Sequence, residues 1–183
     1  MRSLAKWVIS IFVVSVAVPA VYYVAEFAPH RPEITREVTE AMREYGTLPS
    51  SVYELALLSE SDEGIRSFVT RNLLQRTHTK FSNQAWHIHF FALDALIGIN
   101  YTDEEIFALW CQYYWAKNAD GVIVRGLRNA AEELYEANLR DLDIHQIASL
   151  VALIRAPGYY WNNPSLLSER ADEILDARGE GAG

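Results

Sequence analysis

The side chains best suited to chemistry are few, and their spacing limits what they can do. Cys111 is the single cysteine; with no CxxC or CxxH neighbour it offers no metal or redox set, and a small buried apolar side chain is its simplest use. His87 and His89 stand two residues apart, whereas ligands on one helical face need a spacing of three or four. His78 adds no recognisable pattern, so no metal site is expected. Trp110, Tyr113, Tyr114 and Trp115 could floor a sugar or lipid groove, although the first three have the helical spacing that core packing also uses. Between Gly64 and Leu93 the chain carries Arg66, Arg71, Arg76 and Lys80 and no carboxylate. Such a strip can meet phosphate, pyrophosphate or anionic headgroups. Spaced five, five and four apart, the four cations cannot all share one helical face, which leaves a solvated surface as the competing reading. No Ser/His/Asp neighbourhood, Gly-rich phosphate loop or HExxH is present.

The elements that would position these residues follow from composition and periodicity. With 183 residues, 50% hydrophobic and 22% charged, the chain suits one ordinary domain rather than a disordered tail or a two-domain enzyme. Its net charge is -8, which excludes general nucleic-acid binding because that requires cationic surface to displace counterions. Residues 7–25 are uncharged and follow Arg2 and Lys6. As a helix this run spans about 28 Å, close to the thickness of a bilayer core. Residues 1–28 are therefore expected to form an N-terminal membrane anchor, with cations holding the N-terminus inside and the body exported. Val18-Pro19-Ala20 keeps open the alternative of a cleaved signal peptide.

Past Pro29 and Pro32, which read as a short stiff linker, apolar residues recur at helical spacing without sustained period-two alternation. The expected fold class is all-α, with a domain over 29–178 and a flexible tail over 179–183. Helices are predicted at 33–45, ending at Gly46, then 51–59 and 62–75. The strongly apolar stretch 81–99, with Trp86, Phe90, Phe91, Leu93, Leu96 and Ile97, is expected as the central buried helix, with Phe90 and Leu93 in the core. Thr102-Asp103-Glu104-Glu105 is a capping box opening a helix through Trp115. A loop over 118–121 and helices at 126–136, 143–154 and 164–178 complete the body.

On these residues the chain resembles the glycosyltransferase family 51 module, the peptidoglycan glycan-strand polymerase. The run GLRNAAEELYEANLRDLDIHQIASLVALIRAP over 126–157 is similar to the family's G-V-x-A-A-x-x-Y-F-G-K, D-L-T-L-x-E-A-A-L-L-A-G and A-P. Ala130, Ala131, Asp141, Leu142, Ala148, Leu150, Ala156 and Pro157 fall on matching positions. Asn163-Pro164 with Arg170 and Ile174-Leu175 resembles the family's ending, Asp103-Glu104-Glu105-Ile106 its K-D-E-I segment, and Arg71-Asn72-Leu73-Leu74 its K-N-L-F/L. Leu48-Pro49 through Glu60 looks like the approach to the first catalytic glutamate. The resemblance implies a lysozyme-like helical domain behind the transmembrane helix, at the outer face of the bacterial inner membrane. It also implies lipid-linked peptidoglycan precursor or a cell-wall synthesis protein as partner.

Departures fall where the family does its chemistry. Ser59-Glu60-Ser61-Asp62-Glu63 passes at once into Gly64-Ile65-Arg66, where the family inserts a substrate-binding lobe, so a lobe is read as deleted. At the second family glutamate stand Trp86, His87 and Phe90, Gln146 replaces another glutamate, and Glu136-Ala137 replaces G-K. Glu60 is the candidate catalytic residue, and Arg66, Arg71, Lys80 and Arg170 are the candidate substrate-binding cations. The acidic neighbours Asp62 and Glu63 are expected to repel a pyrophosphate. General acid-base catalysis needs a second partner that these residues do not supply. The expected function is therefore a degenerate transferase-like domain in cell-wall-associated binding or scaffolding, without cofactor. The alternative is an active polymerase with Glu60 as base, cations on the donor pyrophosphate and a divalent metal.

Overall fold

The computed structural model describes residues 21–77, 83–118 and 120–181. Most of the expected anchor, and Lys80 with it, lies outside the described residues. Among those described, no helix is long and apolar enough to cross a membrane. The chain enters through a π-helical turn, Tyr23–Phe27, whose Phe27 is buried beside Ile34, Leu73 and Leu93. It continues as α1 (Arg31–Tyr45), α2 (Ser50–Thr77), α3 (Asn83–Asn100) and α4 (Asp103–Tyr113). Next come strands β1 (Trp115–Lys117) and β2 (Ile123–Arg125), then α5 (Leu127–Tyr135), α6 (Ile144–Leu153), α7 (Pro157–Trp161) and α8 (Pro164–Gly181). Pro32 stands in the first turn of α1, where its missing N–H is no loss. The expected linker is thus a helix start.

The centre of the core is α4. Ile106, Phe107, Ala108, Leu109, Trp110, Cys111 and Tyr113 are all buried, so this helix has no solvent face and must be enclosed, by α1 on one side and α2 on the other. Its start is the expected capping box, with the Glu105 N–H donating to Thr102 Oγ1 and the Thr102 N–H to Glu105 Oε2. Its end is earlier than predicted. At Tyr114 the backbone turns extended, and the buried Tyr114 hydroxyl donates to the Leu150 carbonyl at 2.9 Å, tying the end of α4 to α6. The chain then forms an antiparallel ribbon pairing Trp115 with Arg125 and Lys117 with Ile123. Asn118 Oδ1 accepts the Asp120 and Val122 N–H groups across the turn, and Gly121 takes a positive φ. Strands of three residues leave no sustained alternation in the sequence, which is why an all-helical body was expected.

The apolar stretch 81–99 also differs from expectation. Helix α3 is peripheral rather than central: Leu93 and Ile97 are buried against α2, whereas Ile88, Phe91 and Ile99 are 68%, 68% and 79% exposed. Phe90 is half-buried and stacks on Trp86. High apolarity with little amphipathic contrast misleads here, because nothing in the segment says which side lacks a neighbour. What fastens α3 to α2 is polar. Asp94 accepts from Arg66 Nε at 2.9 Å and from the buried Thr70 hydroxyl at 3.1 Å, with Ser67 at 3.5 Å.

Two left-handed positions carry strain without glycine, Ser61 at φ 63 and Glu136 at φ 50. Glu136 is the C-cap of α5, where glycine is the unstrained residue. Helix α8 continues to Gly181, past the predicted stop at 178. Two variants test this account by chemical denaturation. Asp94→Ala should lower unfolding free energy by about 2 kcal/mol, because three donors lose a charged acceptor. Glu136→Gly should raise it by about 1 kcal/mol, the usual cost of a left-handed side-chain-bearing residue.

Candidate functional site

The long helix α2 is interrupted at Ser61, whose φ of 63 and ψ of 163 are not helical. That region is almost reserved for glycine and costs on the order of 1–3 kcal/mol. The strain sits beside Glu60. After the break the Ser61 hydroxyl accepts the Gly64 N–H at 3.2 Å, restarting the helix in the manner of an N-cap. Glu60 is left at the last turn of the first half, at the mouth of a cleft of about 300 Å³ lined by Glu60, Gly64, Ser67, Phe68, Arg71, Trp110, Ile154 and Arg155. Gly64 lies against this carboxylate, and a Cβ there would make ordinary contact with the Glu60 Cβ at 3.4 Å and with Oε2 at 3.7 Å.

The floor is aromatic. Phe68 from α2 and the fully buried Trp110 from α4 lie with ring centroids 6.4 Å apart, and the Trp110 indole nitrogen has no hydrogen-bond partner among the described residues. Of the aromatic run, Tyr113 and Tyr114 serve the core and Trp110 serves both core and cleft. The walls are cationic. Arg155 Nε reaches Glu60 Oε1 at 3.5 Å, and Arg71 stands on the same cleft with no ion-pair partner among the described residues. Burial raises the Glu60 carboxyl above its ordinary range, outweighing Arg155, the Ser59 hydroxyl and Arg170, which pull it down. Phe90 and Phe91, at or beside the second family glutamate, do not line this space.

The candidate cations divide. Arg71 is in the cleft, and Arg170 is close enough to act on Glu60 electrostatically while its Nη1 pairs with Glu173 at 2.6 Å. Arg66 turns instead to Asp94 and lies against Gly98. Arg76 pairs with Glu37 at 3.1 Å and sits over the Tyr113 ring. Asp62 and Glu63 do not line the cleft either, and Asp62 accepts from the Tyr53 hydroxyl. The expected repulsion from these acids is therefore absent at the cleft wall. Sequence reading passed over Arg155. Its signal was its place directly before the matched Ala156-Pro157. Among the described residues no three His, Cys, Asp or Glu side chains come together as a metal set. The cleft itself offers Glu60 as its sole carboxylate, between guanidinium groups, a donor set that does not fit a divalent cation.

The raised Glu60 value has a definite sign. The folded state holds this proton to higher pH than the unfolded chain does, so the stability Glu60 contributes is full below the ordinary carboxylate range. It is lost as pH rises through the raised folded value. Glu60→Gln removes that loss. The denaturation midpoint of the variant relative to wild type should rise between about pH 4 and neutrality, and a fall over the same interval would show that the Arg155 pair dominates.

The chain's kinship can be set against this geometry. The transglycosylase family model matches residues 65–178, from the restarted half of α2 to the last turns of α8. No curated protein matches the chain. The match opens five residues beyond Glu60, so the site reading of Glu60 stands on its place in the cleft and on the N-terminal resemblance. Gln146, at a position where the family has glutamate, completes the capping box of α6 with Asp143; either side chain fills that role. With more than half its length matched, and with the helical body the resemblance implies, the chain belongs to the transglycosylase family, as a shortened and divergent form of the glycosyltransferase family 51 module.

Proposed function

We propose that this domain binds the anionic, lipid-linked precursor of peptidoglycan, or the glycan made from it, without polymerising it, and so acts in cell-wall-associated binding or scaffolding. Residues 7–25 anchor it, with the body at the outer face of the inner membrane. One observation carries the reading: the cleft offers a single carboxylate, Glu60, flanked by Arg155 and Arg71 over an aromatic floor. Guanidinium groups suit a pyrophosphate, which they can grip through paired N–H donors. Of the two floor rings Phe68 is the partly exposed one, and an aromatic face suits the apolar face of a sugar ring. Glycosyl transfer asks for more. A base must take the acceptor proton while a second group stabilises the departing pyrophosphate, and here Glu60, the sole carboxylate lining the cleft, has Arg155 across its Oε1 where an acceptor hydroxyl would have to stand.

An active transferase is the second reading, favoured by the upward shift of Glu60 and by the strained backbone that aims it. In that case Arg155 would move to the pyrophosphate as substrate enters, releasing Glu60 as base. Incubating the full-length protein with lipid-linked precursor separates the two. Binding without glycan product is expected, and the Arg71→Ala, Arg155→Ala double variant should weaken binding by about tenfold or more, equivalent to roughly 1.4 kcal/mol. Glycan synthesis by wild type that disappears in Glu60→Gln would establish the transferase instead.

A further inference from the structure

At the N-terminal end of α2 lies a second depression, which shares no lining residue with the cleft. The end of α1, the turn over 46–49 and the first turns of α2 and α4 enclose about 260 Å³, room for one long side chain, with Met42, Leu48, Pro49, Tyr53, Phe107 and Glu104 on the lining. The walls are apolar and aromatic. The rings of half-buried Tyr53 and buried Phe107 lie 4.8 Å apart and tilted by 55°.

Glu104 is the one charged side chain among the described residues that line this depression. It is exposed, and among the described residues no cation pairs with it. Acids in a first helical turn complement the helix dipole, but Asp103 and Glu105 already stand in that turn, and Glu105 rather than Glu104 closes the capping box. Further negative charge converges on the same ring, since Asp62 accepts the Tyr53 hydroxyl at 3.2 Å. Burial, followed by Asp62, Asp103 and Glu104, pushes that hydroxyl up to about 12. The nearby arginines are spent elsewhere. Arg128 pairs with Glu44 and sits over the Tyr45 ring, Arg140 donates to Thr47 in the turn, and neither these two nor Arg43 line the depression.

Aromatic walls with an unpaired carboxylate at the lip match a cation carried on an apolar stem. Guanidinium fits better than ammonium, because it is planar, more weakly hydrated, stacks on aromatic faces and meets a carboxylate through two N–H donors. Arginine is also among the residues that most often carry the energy of a protein interface. A chain of net charge -8 attracts a basic partner from a distance.

We propose that this depression is the docking site for an arginine side chain of a partner protein, with the guanidinium between Glu104 and the Tyr53 and Phe107 rings. Because it is separate from the cleft, a protein partner and a cleft ligand can be held together.

The test reads the site directly. The chain has two methionines, Met1 and Met42, and the Met42 methyl lies against Gly46 in the depression. Carbon-13 labelling of the methionine methyls in the full chain, held in nonionic detergent micelles, therefore places one reporter in the site, with Met1 as reference. Acetyl-Gly-Arg-Gly amide should shift the Met42 signal saturably in the millimolar range. The lysine peptide should bind severalfold more weakly and the uncharged citrulline peptide at least about tenfold more weakly, equivalent to roughly 1.4 kcal/mol. Glu104→Gln should weaken arginine-peptide binding severalfold and leave the thermal unfolding midpoint unchanged, since the capping box is intact. Equal binding of the arginine and citrulline peptides, or undiminished binding in Glu104→Gln, would overturn the proposal by removing charge from the site. Lysine binding as well as arginine would overturn the choice of guanidinium. Guanidinium chloride binding as tightly as the peptide would make this a small-ion pocket, and a Met42 signal unmoved at tens of millimolar peptide would leave no site; both overturn the proposal.

Discussion

A helix with no solvent face constrains everything around it. Helix α4 is buried along nearly its whole length, and each buried large side chain contributes about 1.5–3 kcal/mol only if neighbours exclude water from it. Helices α1 and α2 are those neighbours. Trp110 lies in the last turn of α4 and is fully buried, and it also forms part of the cleft floor. The cleft is therefore a shallow opening onto the core itself, and its aromatic base is as rigid as the packing beneath it.

On that base the break in α2 places the carboxylate. An unbroken helix from Ser50 would carry the residues after Glu60 onward along the same axis. The left-handed backbone at Ser61 ends one segment and starts another, leaving Glu60 at a terminus from which it meets Arg155 from the end of α6. Strain of this kind persists only where surrounding packing holds it. Val52, Leu55 and Ala56 before the break and Ile65, Val69 and Leu73 after it are all buried. Both halves are pinned, so the connection between them must accept an unfavourable conformation.

The same packing explains why the arginine-rich strip does not act as a unit. Neighbours on one helix point in different directions, and each cation met what its own direction offered. Arg66 found Asp94 on α3, Arg76 found Glu37 on α1 and the Tyr113 ring, and Arg71 alone of these opened onto the cleft. Asp94 lies one residue beyond the carboxylate-free stretch, and Glu37 lies before it. Local charge asymmetry in the sequence was thus real, and distant carboxylates cancelled most of it.

What the sequence determined by itself is the set of local decisions. The Thr102 capping box, the stop of α1 at Gly46, the turn over 118–121 and the break between two helical stretches near residue 61 depend on contacts within a few residues, which is why spacing alone revealed them. Kinship was legible too, because the matched segment over 126–157 needs no gap. Tertiary structure alone decided which apolar helix became central. Stretch 81–99 is the more hydrophobic and α4 the more buried, since burial depends on how many neighbours surround a helix and not on its own composition. The short ribbon after Tyr114 likewise needed a partner strand to exist. The pairing of Glu60 with Arg155 joins a residue of α2 to one in the turn that follows α6, which no periodicity relates, and it arises only when α6 packs across the broken α2.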